Sequence, residues 1–268
     1  MNILLILLLF LPINVSAEVY QWQDANGKQH FSDHTAEPDA KTVVIKTTQG
    51  FYHIKTVYDG DTVVLEDGQK VRLLGINTPE ISHRGNEADA GGEDAKKWLI
   101  AKLKNGKVRL ETDVEKKDSY GRTLGHLFTE NNEHINVLLV AAGLAEVSIW
   151  PPNLKYTNDL VTAEQQAETA KLGLWQRPEY APIPVEQLTA EGHHGWTRLV
   201  GKVRLVHPAK KFIYLEFTDR FNARIEKESQ SLFPDINSYQ GKTIEVRGWL
   251  NKRGDKFSML IRHPSAIK

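Results

Sequence analysis

The stretch VYDGDTVVLEDGQKVRLLGINTPE, residues 57–80, decides the fold. TVVLE (62–66) and KVRLLGI (70–76), on the two sides of Asp67-Gly68, are strand-like, the pattern of two antiparallel strands joined by a tight turn. A two-residue turn pairs Glu66 with Gln69, Val63 with Arg72 and Asp61 with Leu74. Arg72 is then diagonal to Asp61 on one face, where neighbouring side chains stand roughly 5–8 Å apart. Asp59 falls one pleat further along, beyond Gly60. At the other strand's end Pro79 removes a backbone donor and forces the chain out, leaving Asn77, Thr78 and Glu80 near the same corner. Oxygen donors of this kind suit Ca²⁺ better than zinc or copper, which prefer nitrogen and sulfur. Taken alone, the residues also describe a surface salt bridge beside an ordinary turn.

Outward from this hairpin, residues 51–57 read as a strand, and residues 93–103, with Trp98, Leu99 and Leu103 at helical spacing, as a helix ended by Asn105-Gly106. KVRLETD (107–113) and RTLGHLF (122–128) read as two further strands. INVLLVAAG (135–143) reads as a short buried helix stopped at Gly143, and residues 158–172 as an amphipathic helix ending at Gly173. The fold class is therefore mainly β with α (α+β): a small five-stranded barrel with helices packed on it. The proline-rich RPEYAPIPVEQ (177–187) reads as an extended linker, assigned to residues 178–192. Beyond it, residues 193–268 show about five more strands, enough for a second small barrel of OB type.

The ends of the chain carry different information. MNILLILLLFLPINVSA (1–17) is a short apolar run followed by small residues, the pattern of a cleaved signal peptide, and it is shorter than the roughly 20 residues that span a bilayer. EVYQWQDANGKQHFSDH (18–34) reads as two aromatic strands around Asn26-Gly27, an N-terminal hairpin followed by a linker to residue 49. It resembles the short N-terminal domain of unknown function found on many exported bacterial proteins. Cysteine is absent, which excludes disulfides and thiolate metal sites. An exported protein, periplasmic or extracellular, is expected. Net charge is zero but segregated: residues 50–178 hold 16 Lys and Arg against 19 Asp and Glu, residues 190–268 hold 15 against 8.

DSYGRTLGHLF (118–128) puts a second arginine, Arg122, at the start of another strand. Together with DGDTV (59–63), RLLGINTPE (72–80), VLLVAAGLAEV (137–147) and AEQQAETAKLGLW (163–175), it makes residues 50–177 resemble the staphylococcal nuclease family, in order and spacing. The resemblance implies a five-stranded OB barrel with helices and a calcium-dependent phosphodiesterase cutting DNA and RNA to 3′-phosphate and 5′-hydroxyl ends. It further implies that Asp61 is a calcium carboxylate, Asn77 stands at the second carboxylate position, Thr78 offers its backbone carbonyl and Asp59 supports them. By the same resemblance Arg72 and Arg122 bind phosphate and Glu80 activates water. Asn77 departs from the family's best-known member, which has aspartate. An amide oxygen still binds calcium but adds no charge, so affinity should fall or tolerance of other divalent ions should rise.

Near EVSIWPPN (146–153), where the family stacks aromatic residues on a base, Trp150 either does the same or packs on Pro151-Pro152. His83 and Arg84 read as solvated loop residues, and His193-His194 as no site. In the C-terminal barrel, alternation puts Phe212 and Tyr214 on one face and Ile213, Leu215 and Phe217 on the other. Phe212 and Tyr214 could stack bases while Lys202, Arg204, Lys210 and Lys211 meet phosphates; equally, the aromatics could fill the barrel. The alternative to a nuclease is a noncatalytic nucleic-acid or envelope-binding protein, against which Asp61, Arg72, Glu80 and Arg122 all speak.

Overall fold

A computed structural model describes residues 19–24, 27–32, 41–43, 50–82, 88–104, 106–189 and 195–268. The leader read at 1–17, most of the linker before residue 50, His83, Arg84, His193 and His194 lie outside them. The chain divides into two units, Met1–Gln49 and Gly50–Lys268.

In the first unit β1 (Val19–Gln23) and β2 (Gln29–Ser32) form the expected hairpin, with Trp22 opposite His30 and the two rings stacked at 5.4 Å. A third strand, β3 (Lys41–Val43), which falls in a stretch read as linker, pairs on the other side of β1. Two strands alone are marginal in water, and the third supplies the pairing that a lone hairpin lacks.

The second unit begins with β4 (Phe51–Val57), β5 (Thr62–Leu65) and β6 (Lys70–Leu73), followed by the short β7 (Ile76–Asn77) and helix α1 (Gly92–Leu103). Strands β8 (Lys107–Glu111) and β9 (Thr123–Thr129) complete a closed barrel in the order β4-β5-β6-β9-β8, with β6 and β9 parallel. Helix α2 (Ile135–Ala141), β10 (Glu146–Val147) and helix α3 (Thr157–Thr169) follow. This is the five-stranded OB barrel with helices that the sequence predicts. Val63, Leu65, Val71, Leu73, Leu127 and Leu139 are fully buried or nearly so and fill it. Asn136, also fully buried, ties α2 to the barrel by donating to the Leu74 carbonyl and accepting from the Leu127 amide.

The expected hairpin register is one residue off. Thr62 pairs with Arg72 and Val63 with Val71, because the loop holds three residues, 66–68, rather than two. Gly68 takes a left-handed φ of 87°, and its amide donates to the Leu65 carbonyl while the Leu65 amide donates to Gln69. A type I turn closed by a left-handed glycine is the usual three-residue solution, and the sequence pair Asp-Gly serves both.

The C-terminal part adds β11 (Ile183–Pro184), β12 (Gly195–Lys202), β13 (Leu205–Pro208), β14 (Phe212–Glu216), β15 (Phe221–Glu226), β16 (Thr243–Arg253) and β17 (Lys256–Ile261), ordered β11-β12-β16-β17-β15-β14-β13. The first predicted strand is broken into β12 and β13 at residues 203–204, and its two halves pair at opposite ends of the row, so the sheet curls. The parallel β15–β17 pair corresponds to β6–β9 of the first barrel. Ile183–Pro184, in the stretch read as linker, runs parallel to β12, and Val185 and Leu188 enter the second core. Among the described residues no helix is long and apolar enough to cross a membrane.

The two barrels of the second unit meet through charge. Arg247 (4 % exposed) and Arg198 extend from β16 and β12 to Glu164 and Glu168 of α3, and both also bond Glu245. Lys268 lies 3.5 Å from Glu164, so three cations face three carboxylates. Both guanidinium groups also approach the Trp175 ring, at 5.5 and 5.6 Å. Removing one member of a buried pair strands the others without compensation. Arg247→Ala should cost about 3–5 kcal/mol in urea unfolding; a loss below about 1 kcal/mol would show that the cluster is stabilising nothing.

His126 of β9 and His134, just before α2, approach at 3.1 Å between ring nitrogens, packed with Tyr156 and Phe128. Burial, and for His126 the charge of His134, push both down to about 4. The folded state therefore binds fewer protons than the unfolded chain between about pH 6.5 and 4, and stability is present above 6.5 and lost as pH falls to 4. The loss should be on the order of 3 kcal/mol for each ring kept neutral. Urea midpoints measured from pH 7 to 4.5 should fall steeply for the wild type and about half as steeply for His134→Asn; equal slopes would assign the titration to other groups.

Candidate active site

The corner is built by three close approaches. Gly60 lets the loop before β5 lie against Thr78 and α1: a Cβ there would stand 2.6 Å from Thr78 Oγ1 and 2.7 Å from Ala95 Cβ. Gly92, opening α1, likewise admits the chain at Pro79-Glu80, whose carbonyl oxygens would lie 2.7 and 2.6 Å from a Cβ. Pairing of β7 with β10 sets Asn77 opposite Glu146.

Asp61 (5 % exposed) is the centre. Its Oδ2 accepts from the Thr78 amide at 2.9 Å and the Thr78 hydroxyl at 3.2 Å, and lies 2.9 Å from Arg72 Nη2; Oδ1 accepts from Thr62 Oγ1. The observed register assigns Asp61 and Arg72 to opposite faces, yet they meet, because β5 starts only at Thr62 and Asp61 belongs to the loop. Asp59 Oδ1 accepts from the Asp61 amide at 3.0 Å, and burial together with the charge of Asp61 pushes its carboxyl up to about 6. Two adjacent carboxylates that share a single guanidinium, with the Thr78 hydroxyl beside them, match a hard cation in donor chemistry.

Arg72 is held on every side. Nη1 donates to the carbonyls of Leu73 and Ile76, and Nη2 to Asn77 Oδ1 at 2.9 Å. The Asn77 Nδ2 donates to Glu146 Oε1 at 2.7 Å and to the Thr78 carbonyl at 3.3 Å. The amide oxygen of Asn77 and the carbonyl of Thr78 thus face protein donors. Glu146 is 1 % exposed, its Oε2 has no hydrogen-bond partner among the described residues, and burial pushes its carboxyl up to about 8. Sequence reasoning passed over Glu146, which stands 69 residues from Asn77 within a motif quoted only for family likeness.

Arg122 is anchored by its Nε to Asp118 Oδ2 at 2.7 Å and lies over the Tyr120 ring. Burial raises the Asp118 carboxyl, but hydrogen bonds and charge from Arg122 outweigh it and hold it below the usual range. Arg72 and Arg122 both line a cleft of about 650 Å³, together with Asn77, Lys116, Lys117, Trp150 and, from the second barrel, Trp249. Asp59, Asp61 and Glu80 are not among its walls. Glu80 is exposed, with its backbone bonded in both directions to Asp89.

Trp150 follows Ser148, to whose hydroxyl its indole donates, and the guanidinium of Arg262 covers its ring at 3.6 Å. Lys202, Arg204, Lys210, Lys211, Phe212 and Tyr214 lie away from this cleft. Phe212 and Tyr214 do sit outside the second core, against Arg224 and His207, while Ile213, Leu215 and Phe217 fill it.

Comparison with known proteins fits this geometry. Residues 70–177 match the family described as Staphylococcal nuclease homologue, and residues 6–50 a domain of unknown function, DUF4124. Over 129 residues the chain is 40 % identical to a thermonuclease of Staphylococcus intermedius, covering 47 % of this chain and 76 % of that protein. A thermonuclease of Staphylococcus hyicus is 36 % identical over 46 % of this chain and 75 % of its own, and endonuclease YncB of Bacillus subtilis (strain 168) is 31 % identical over 59 % and 81 %. With the barrel, the motif order and these relatives in agreement, the chain belongs to the staphylococcal nuclease homologue family.

Proposed function

We propose that this protein is an exported nuclease that hydrolyses phosphodiester bonds of DNA and RNA, leaving 3′-phosphate and 5′-hydroxyl ends. The observation that carries the reading is the pair of guanidinium groups, Arg72 and Arg122, on the walls of one cleft beside the Asp59–Asp61 corner. Relatives named thermonuclease and endonuclease support it. Export rests on the leader pattern at 1–17.

A phosphodiester repels nucleophiles, so hydrolysis needs cations where charge grows on the phosphoryl oxygens. Arg122, with only its Nε bonded to Asp118, presents its remaining N–H donors to a phosphate in a planar fork. Arg72 is pre-oriented by four acceptors and needs little further ordering to engage charge. Asp61, Asp59 and the Thr78 carbonyl would hold a calcium ion, with Asn77 contributing its amide oxygen once Arg72 releases it. That ion, when bound, supplies further positive charge against the phosphate. Glu80, exposed at the end of the same hairpin, is by the family resemblance the base that accepts the proton of the attacking water.

The decisive assay incubates purified protein with single- and double-stranded DNA and RNA, with calcium or a chelator, and analyses end groups. Calcium-dependent cleavage to 3′-phosphates is expected; binding without cleavage under any divalent ion would favour the noncatalytic alternative. Arg72→Lys keeps charge but loses the fork, and should lower turnover roughly 100-fold or more; near-normal turnover would remove Arg72 from the mechanism. Asn77→Asp should lower the calcium dissociation constant, read by calorimetry, roughly tenfold by adding a charged ligand. An unchanged constant would take residue 77 out of the calcium shell.

A further inference from the structure

On β16 the two-residue alternation sends Ile244, Val246 and Leu250 into the second core and Glu245, Arg247 and Trp249 to the outer face. Glu245 and Arg247 are consumed by the ion cluster against α3. Trp249, two residues further on, passes that junction and becomes part of the wall of the cleft that holds Arg72 and Arg122. It is paired with Trp196, whose ring packs near Trp175 and Tyr180, yet Trp249 itself remains 47 % exposed. A tryptophan left half in water at a junction that buries its neighbours forgoes a large apolar gain.

The same cleft contains Trp150, 53 % exposed, and the second barrel touches it as well, because Arg262 follows β17 and stacks on that ring. Arg262 forms no ion pair with a carboxylate among the described residues. The cleft thus combines two half-exposed indoles with guanidinium groups, and its volume of about 650 Å³ is in the range of small-ligand pockets. Flat aromatic faces beside cations suit a base next to its phosphate. A base inside a duplex has both faces covered by its neighbours and cannot use such a platform; an unpaired base can.

We propose that Trp249 is a base-stacking subsite for single-stranded nucleic acid, on which the nucleotide next to the phosphate held at Arg122 lays its base. The inference rests on the nuclease reading of the cleft and adds that the C-terminal barrel forms part of the substrate site. The basic and aromatic residues of β12–β14 lie elsewhere, so this contact is separate from any they make.

The test is fluorescence titration of the full chain, in chelator, with an oligodeoxythymidylate of about eight nucleotides and with a duplex of the same length. Trp249→Ala should weaken single-strand binding roughly 5- to 150-fold, with a much smaller change for the duplex, and Trp249→Phe should restore most of it. Urea midpoints of the variants verify folding, and Trp249→Leu, which keeps apolar bulk at the junction but has no ring to stack on, carries the test with the same expected loss if alanine unfolds the junction. Equal single-strand affinity of wild type and Trp249→Ala, or equal losses for both ligands, would overturn the subsite. If the wild type cleaves nothing while Trp249-dependent binding persists, the hydrolytic reading fails and the subsite stands. Cleavage combined with binding indifferent to Trp249 rejects the subsite alone.

Discussion

Arg247 and Arg198 set the relation between the two barrels of the second unit. Charged groups buried at a junction tolerate little displacement: three cations and three carboxylates must stay mutually paired, since each is costly without its partners. Glu164 makes the restraint reach further, because its other oxygen accepts from the Val147 amide at 2.8 Å. Val147 belongs to β10, and β10 pairs with β7, which carries Asn77. A continuous chain of hydrogen bonds and strand pairing therefore runs from the C-terminal sheet to the Asp61–Arg72 corner. The same restraint fixes where the outer face of β16 ends, and with it the location of Trp249.

Within the corner, Asn77 and Glu146 make sense only together. An aspartate at residue 77 would set a second carboxyl where Glu146 Oε1 now receives an N–H at 2.7 Å, so one of the two acids would have to keep its proton, as Glu146, pushed up to about 8, can. The amide removes that conflict: one end donates to the buried acid, and the other accepts from Arg72.

Much of this was legible in the sequence, and its failures have physical origins. Barrel strands and helices follow from short-range alternation and turn residues, and Asn77, Thr78 and Glu80 are delivered by the same hairpin, whereas Asp61 meets Arg72 through the loop before β5 and not through the expected register. The hairpin's register was misread by one residue because Asp-Gly serves two-residue and three-residue loops alike, and only the φ of Gly68 separates them. Glu146, Trp249 and Arg262 join the corner or cleft through strand pairing and barrel docking, which no local pattern records. The stretch read as a linker illustrates the same limit. Pro178, Pro182 and Pro184 announce extended backbone, but whether that backbone floats or adds to a sheet depends on what Val185 and Leu188 find to pack against.

The closed barrel and the curled C-terminal sheet each set one parallel pair among antiparallel strands, and use their strands differently. In the first, the candidate site residues stand where strands end: Asp61 in the loop before β5, Asn77 after the exit from β6 and Arg122 on the approach to β9, while the barrel interior remains apolar. In the second, the interior is equally apolar, but polar and aromatic residues of interest lie along the outer face of one long strand, β16. A face of that kind can satisfy two demands in succession, since alternate residues point the same way: Glu245 and Arg247 bind the neighbouring barrel, and Trp249 reaches past the contact. Docking and substrate contact are thus coupled by the strand's geometry, so a change that shifts the junction by one residue along β16 would turn Trp249 away from the cleft.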